Sequence, residues 1–138
     1  MISTHKSRIE TNGNCDIIDI TELVSKAIID SRLKAGIITV FVAHSTCGIT
    51  TIEYESGLVA DLQELFDRIA PKGIHYAHDA RWGDGNGHSH VRASLVGGSL
   101  TVPFSEARPI LGTWQQVILI DFDNRARTRE IVFQVIGE

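Results

Sequence analysis

Two stretches with helical periodicity stand among about six or seven strand-like runs, and the two kinds do not alternate along the chain. A chain patterned this way does not wind into regular β-α-β units. The expected fold is therefore α+β: a mixed or antiparallel sheet, folded over as a sandwich, with two main helices. The first helix starts at Asp19-Ile20-Thr21-Glu22, an acidic N-cap with Glu three residues on. Ile20, Leu23, Val24, Ala27 and Ile28 then recur on one face, and Gly36 is placed for a left-handed exit. The second carries Leu58, Leu62, Leu65, Phe66 and Ile69 in one stripe, capped by Ser56 and stopped by Pro71.

The strand-like runs frame these helices. Ser3 to Glu10 reads as an edge strand closed by the Asn12-Gly13-Asn14 turn. Ile37 to Ala43 is a β-branched run expected to be buried on both faces, and it delivers His44-Ser45-Thr46 to its end. Further strands are Ile49 to Glu53, Ser99 to Pro103, Val117 to Phe122 and Arg127 to Ile136, with a corner at Gly112-Thr113-Trp114-Gln115. Val91 to Val96 fits helix or strand. With 138 residues, 43% hydrophobic and 22% charged, the chain has the size and composition of one globular domain spanning 1–138. A net charge of -4 argues against a broad nucleic-acid footprint. No apolar run approaches the roughly 20 residues of a membrane span, and no signal-peptide core opens the chain, so a cytoplasmic protein with free Cys15 and Cys47 thiols is expected.

Chemistry concentrates in one place. Of the six histidines, His75, His78, His88 and His90 fall within 16 residues, interleaved with Asp79, Asp84, Asn86 and the glycines 83, 85 and 87. Imidazole binds metals and moves protons near neutral pH, so this density beside carboxylates points to a site. His88-Ser89-His90 has two readings. An extended segment puts both rings on one face, able to share a metal with His78 or His44. A helix capped by Asn86 instead turns them about 200° apart and offers free N–H groups to an anion such as phosphate.

Asp84 is a carboxylate ligand or base, or a turn residue before Gly85. His44, where a strand meets a loop, is a candidate reacting group; Cys47 is read as a packed side chain, because nothing fixes a third group for a Cys-His nucleophile. Glu53 is a buried general base or an exposed strand end. Arg125, Arg127 and Arg129, at two-residue spacing, can hold a phosphate from one side of a strand or form a solvated edge.

The combination His44-Ser45-Thr46, Glu53, Asn86-Gly87-His88-Ser89-His90-Val91-Arg92-Ala93-Ser94-Leu95, Gly112-Thr113-Trp114-Gln115-Gln116 and Arg125 resembles the YjbQ-like family of uncharacterised proteins, over nearly the whole chain. The resemblance implies a sandwich-like α+β homotrimer with the histidine loops near subunit boundaries. It also implies a weak thiamine phosphate synthase activity and, in some members, a metal at the histidines.

On this basis His78, His88 and His90 are the expected ligands of a divalent ion, zinc or magnesium. His44 and Glu53 are expected to transfer protons, while Asp84 and Asn86 orient substrate or metal-bound water. Arg125, Arg127, Ser45 and Thr46 are expected to hold a small phosphorylated ligand. The alternative is a metal- or phosphate-binding trimer without turnover. This chain departs from the family pattern at Asp121, where glutamate is usual, at Ala107 and Asn124, where glycine is usual, and at Cys47, where alanine is frequent.

Overall fold

The computed structural model describes residues 1–138. In chain order the elements are β1 (Ile2–Thr11), β2 (Asp16–Asp19), α1 (Thr21–Ser31), β3 (Gly36–Val42), β4 (Cys47–Ile52), α2 (Ser56–Ile69), α3 (Ala77–Trp82), α4 (Gly87–Val96), β5 (Ser99–Ser105), β6 (Arg108–Pro109), β7 (Gln116–Asp121) and β8 (Arg127–Gly137). They form a five-stranded sheet, β1-β8-β3-β5-β6, and a three-stranded sheet, β2-β7-β4, and every pairing is antiparallel.

The α+β class is as expected, but there are four helices where two were anticipated. The physical reason lies in what the extra two bury. α3 buries nothing, and α4 buries Gly87, His88, Ser89, Arg92 and Ala93, a mostly polar face that leaves no apolar stripe to read.

Two cores explain the layering. Between the sheets, Ile38, Val40, Val42, Ile131, Phe133 and Val135 meet Ile49, Val117 and Leu119, with α1 closing the core through Val24, Ala27 and Ile28. On the other side of the small sheet, Ile17, Ile118, Ile120 and Phe122 pack on Phe66 and Ala93, with Phe66 edge-on to Phe122 at 4.8 Å. Strand β7 is thus buried on both faces, which is why its sequence is apolar without interruption from Val117 to Ile120. Strand β3 was expected to share that pattern and does not. Ile37 and Phe41 are exposed on the outer face of the large sheet, while Ile38, Val40 and Val42 point inward.

Local signals were shifted by one or a few residues. α1 leaves through Arg32, whose φ is 64°, and not through Gly36. Gly36 serves close strand approach instead: at φ 153° a Cβ there would stand 2.0 Å from the Ile136 carbonyl oxygen. α2 is capped by Glu55, whose carboxylate accepts from the Gly57 and Leu58 N–H groups, and not by Ser56. Asp19 is not the N-cap of α1 either: Ile20 holds that position with no side-chain cap, and Asp19, one residue earlier, accepts from the amide and the hydroxyl of Thr21. Ala107 holds φ 59°, a left-handed conformation that glycine adopts without strain and a residue with a Cβ adopts at a cost.

One buried cation sets the position of α4. Arg92, 1% exposed, donates from Nε to the Ala70 carbonyl at the end of α2 and from Nη2 to Asp67. That carbonyl end carries partial negative charge, so the guanidinium satisfies it and locks α4 beside α2. His90 and Asn86 are carried with it.

Candidate functional site

At one end of the sandwich the loop after β3, the loop from β7 into β8, and the start of α4 enclose a cleft of about 370 Å³. The first supplies His44, Ser45 and Thr46; the second supplies Asp123, with Arg127 and Arg129 following from the start of β8; Asp84 and Asn86 come from the turn before α4 and His90 from its first turn. Beneath it lies a buried charge network. The Arg129 guanidinium donates to Asp121 from Nε (2.7 Å) and Nη2 (3.1 Å), and from Nη2 also to Thr46 Oγ1 (2.7 Å) and Asp123 Oδ2 (3.2 Å). Asp121 further accepts from Thr11 Oγ1 and the Asp123 amide, and Asp123 from Thr46 Oγ1. Burial works to raise the Asp121 carboxyl, but hydrogen bonds from Arg129 and Thr11 outweigh it and hold the group ionised below its usual range.

The rim carries side chains able to ligate a metal ion. His78 Nδ1 lies 3.4 Å from Asp79 Oδ1 and 3.5 Å from Asp84 Oδ1, and these ligand atoms all fall within 4.8 Å of one another. The His90 ring sits against that of His78, centroids 4.4 Å apart. Asp79 is pre-positioned by accepting from the Gly87 amide at 2.8 Å, and Asp84 by accepting from the Asn86 amide at 3.2 Å. The anion at the N-terminus of α4 is therefore the Asp79 side chain.

Charge supports a cation here. With neutral imidazoles, Asp79, Asp84, Asp121 and Asp123 against Arg127 and Arg129 leave two negative charges in excess. Burial, and then the neighbouring His78, lower the pKa of His90, while burial and Arg129 lower that of His44, so both rings tend to the neutral, metal-competent form. One imidazole and two carboxylates, with a second imidazole adjacent, suit zinc or another divalent ion and leave coordination positions open. The residues present fit such a group.

The expected residues divide. His78, His90, Asp84, Asn86, His44, Ser45, Thr46 and Arg127 come together. His88 does not: α4 is helical there, so its ring turns away from His90 and is buried at 3% exposure near Lys72, Gly85 and Arg92. Glu53 is exposed at the far end of β4, beside Tyr54 and Trp114, outside the cleft. Arg125 precedes β8 and is exposed without lining the cleft.

Cys47 is buried, and burial pushes its thiol up to about 12, which removes it as a nucleophile. Asn86 is buried too; its side chain caps no helix but accepts from the Asn124 amide at 3.2 Å and bonds Asp123. Sequence reasoning missed Asp123, and it named Asp79, Asp121 and Arg129 without the parts they take here, Asp79 beside His78 and Asp84, and Arg129 bonded to both buried aspartates. Asp79 stood beside His78, and the i, i+2 pairs Asp121/Asp123 and Arg127/Arg129 were the available signal.

These features define a class: small α+β proteins with a histidine, carboxylate and arginine cleft at one end of a two-sheet sandwich. The chain belongs to the YjbQ/UPF0047 family, whose sequence model, described as UPF0047 protein YjbQ-like, matches residues 5–138. It is 35% identical over 134 residues to a UPF0047 protein of Methanocaldococcus jannaschii, covering 96% of this chain and 94% of the relative. It is 36% identical over 137 residues to one of Methanothermobacter thermautotrophicus, covering 99% and 94%. Among solved structures it is similar to a YbjQ-like protein of unknown function from Sulfolobus solfataricus P2, with 28% identity, a TM-score of 0.89 and 100% coverage of both chains. It is also similar to an uncharacterized conserved protein of the family from Clostridium acetobutylicum, with 32% identity, a TM-score of 0.88 and coverage of 96% and 99%. No helix is long and apolar enough to cross a membrane.

Proposed function

We propose that the cleft binds a divalent metal ion through His78, Asp79 and Asp84, with His90 adjacent, and a small phosphorylated ligand beside it through Arg127, and that it turns this ligand over. The observation that carries the reading is the convergence of His78 Nδ1 and two carboxylate oxygens within 4.8 Å at the mouth of a cleft lined by Arg127. The reaction we propose is a transfer of the thiamine phosphate synthase kind. The bond from carbon to a pyrophosphate oxygen breaks, the pyrophosphate leaves with the electron pair, and a ring nitrogen of the second substrate forms the new bond to that carbon. A bound divalent ion supplies charge neutralisation for the departing phosphates.

The chain's own residues do the rest. Arg127, whose Nε lies 3.2 Å from Asp123 Oδ2, has its outer nitrogens left to orient phosphate oxygens, while Arg129 is committed to Asp121 and Asp123 and keeps the floor rigid. His44 Nε2 accepts from the Glu130 amide at 3.4 Å, so its proton resides on Nδ1. That fixed tautomer can hydrogen-bond an anionic oxygen.

A second reading, metal- and phosphate-binding without turnover, is favoured by the position of Glu53: the acidic general base expected from the sequence is not in the cleft. We propose in either case a homotrimer, supported by Ile2, Ile136 and Ile37, which lie side by side across β1, β8 and β3 and are exposed on the outer face.

Metal content of the purified protein, measured beside pyrophosphate release, read as phosphate after added pyrophosphatase, for wild type and for His78→Ala and Asp84→Ala, tests the proposal. Loss of metal and of phosphate release together is expected. Loss of metal from a protein that never released phosphate would favour binding alone. Unchanged metal content in both variants would refute the site.

A further inference from the structure

The segment Ala43-His44-Ser45 lines a second depression, of about 540 Å³, contiguous with the charged cleft. Its other walls are Phe41, Val42, Cys47, Ala93, Ser94 and the pair Gly97-Gly98, with no aspartate, glutamate, lysine or arginine among them. The glycine pair matters chemically. The Gly97 and Gly98 carbonyls already accept from the Ile49 and Val42 amides, both at 2.9 Å, and the Gly97 amide donates to Ala93 O at 2.8 Å. With those groups paired and no side chains attached, this stretch presents peptide faces that demand few further hydrogen bonds. Such a surface suits a flat uncharged ring, with the exposed Phe41 ring as one wall.

We infer that this depression is the subsite for a flat apolar or aromatic ring belonging to the same ligand whose phosphate lies at Arg127, so that the ligand class is a ring-bearing phosphate ester. Phe41, Ser94 and Gly98 are then specificity-determining residues for the ring. This inference rests on the phosphate reading above and adds to it a place and a chemical class for the rest of the molecule. Continuity argues for one ligand across both depressions, because the shared His44 segment separates the charged walls from the apolar ones by a single turn of chain.

Calorimetric titration of the magnesium-loaded and zinc-loaded protein with inorganic phosphate and with phenyl phosphate tests it. Burying one face of a benzene ring removes on the order of 60 Å² of apolar surface from water, which corresponds to about tenfold in affinity. Phenyl phosphate is therefore expected to bind about tenfold more tightly than inorganic phosphate. Ser94 is exposed on α4, so Ser94→Trp can fill the depression without disturbing the core. It should erase the tenfold preference and leave inorganic phosphate binding unchanged.

Gly98→Ala is the milder control. Its Cβ would stand 3.4 Å from Val42 O and 3.8 Å from the Phe41 ring, ordinary contact distances, so the fold is kept while the ring loses room. It should reduce the preference to about threefold. Equal affinity of the wild type for both phosphates would overturn the inference while leaving the phosphate site standing. So would a Ser94→Trp variant that keeps the preference but changes its sedimenting mass, since the depression would then be a contact between copies. Failure of both phosphates to bind would remove the phosphate reading itself and this inference with it.

Discussion

Replacing Arg129 by methionine should be among the most damaging single changes to the fold. Asp121 and Asp123 are 0% and 2% exposed, and Arg129 is the cation that bonds both. In Arg129→Met, Asp123 keeps Arg127 and Thr46, but Asp121 is left with only the Thr11 hydroxyl and an amide. Removing one partner of a buried pair costs about 3–5 kcal/mol. With about 2.1 cal/mol/K of unfolding entropy per residue, 138 residues give about 0.3 kcal/mol/K, so the melting temperature should fall by about 10–17 °C.

The pH dependence carries the mechanism. In the wild type the Asp121 pKa is depressed, so its contribution is fully present above the ordinary value near 3.8 and is lost as pH falls through the lower folded value. In the variant, burial without the cation raises that pKa, and the added instability is relieved as pH falls through the raised value. The stability gap should therefore narrow between about pH 7 and pH 4.5. The double variant Asp121→Asn/Arg129→Met, which removes both charges, should recover at least half of the loss. Urea denaturation of metal-free protein followed by circular dichroism at both pH values measures all three terms. A loss below about 1 kcal/mol at pH 7, or a gap indifferent to pH, would refute the view that uncompensated charge is the cause.

Three further outcomes are expected. His88, whose pKa is lowered by burial and then by Arg92, stabilises the fold fully above its ordinary 6.5 and loses that contribution as pH falls; His88→Gln should flatten the urea midpoint between about pH 5 and 7.5 while leaving metal stoichiometry unchanged. Glu53→Gln should shift stability by no more than about 0.5 kcal/mol and leave metal content and phosphate release at wild-type levels, because the carboxylate is exposed and outside the cleft. Gly36→Ala forces β3 away from the Ile136 carbonyl and should lower stability by about 2–4 kcal/mol, read as a drop in melting temperature, whereas no measurable change would show that the strands part easily there.

The apolar alternation in the sequence was enough for the α+β class and for most strands within a residue or two, and the density of histidines and carboxylates singled out the stretch 78–90 as the candidate site, because apolar periodicity and ligand density are local properties. The family was legible for the same reason, its motifs being short and in order. What local pattern did not carry was direction. Whether His88 and His90 shared a metal turned on helix against strand at α4, and a helix with a polar buried face announces itself only when it is packed against Ala70 and Phe122. The roles of Asp121 and Arg129 depended on bringing β7 and β8 beside the loop after β3, and the exclusion of Glu53 on which end of β4 meets that loop. Identity and spacing of charged residues are written along the chain; which of them face one another is decided by sheet pairing, because a buried charge takes its partner from the nearest strand and not from the nearest residue.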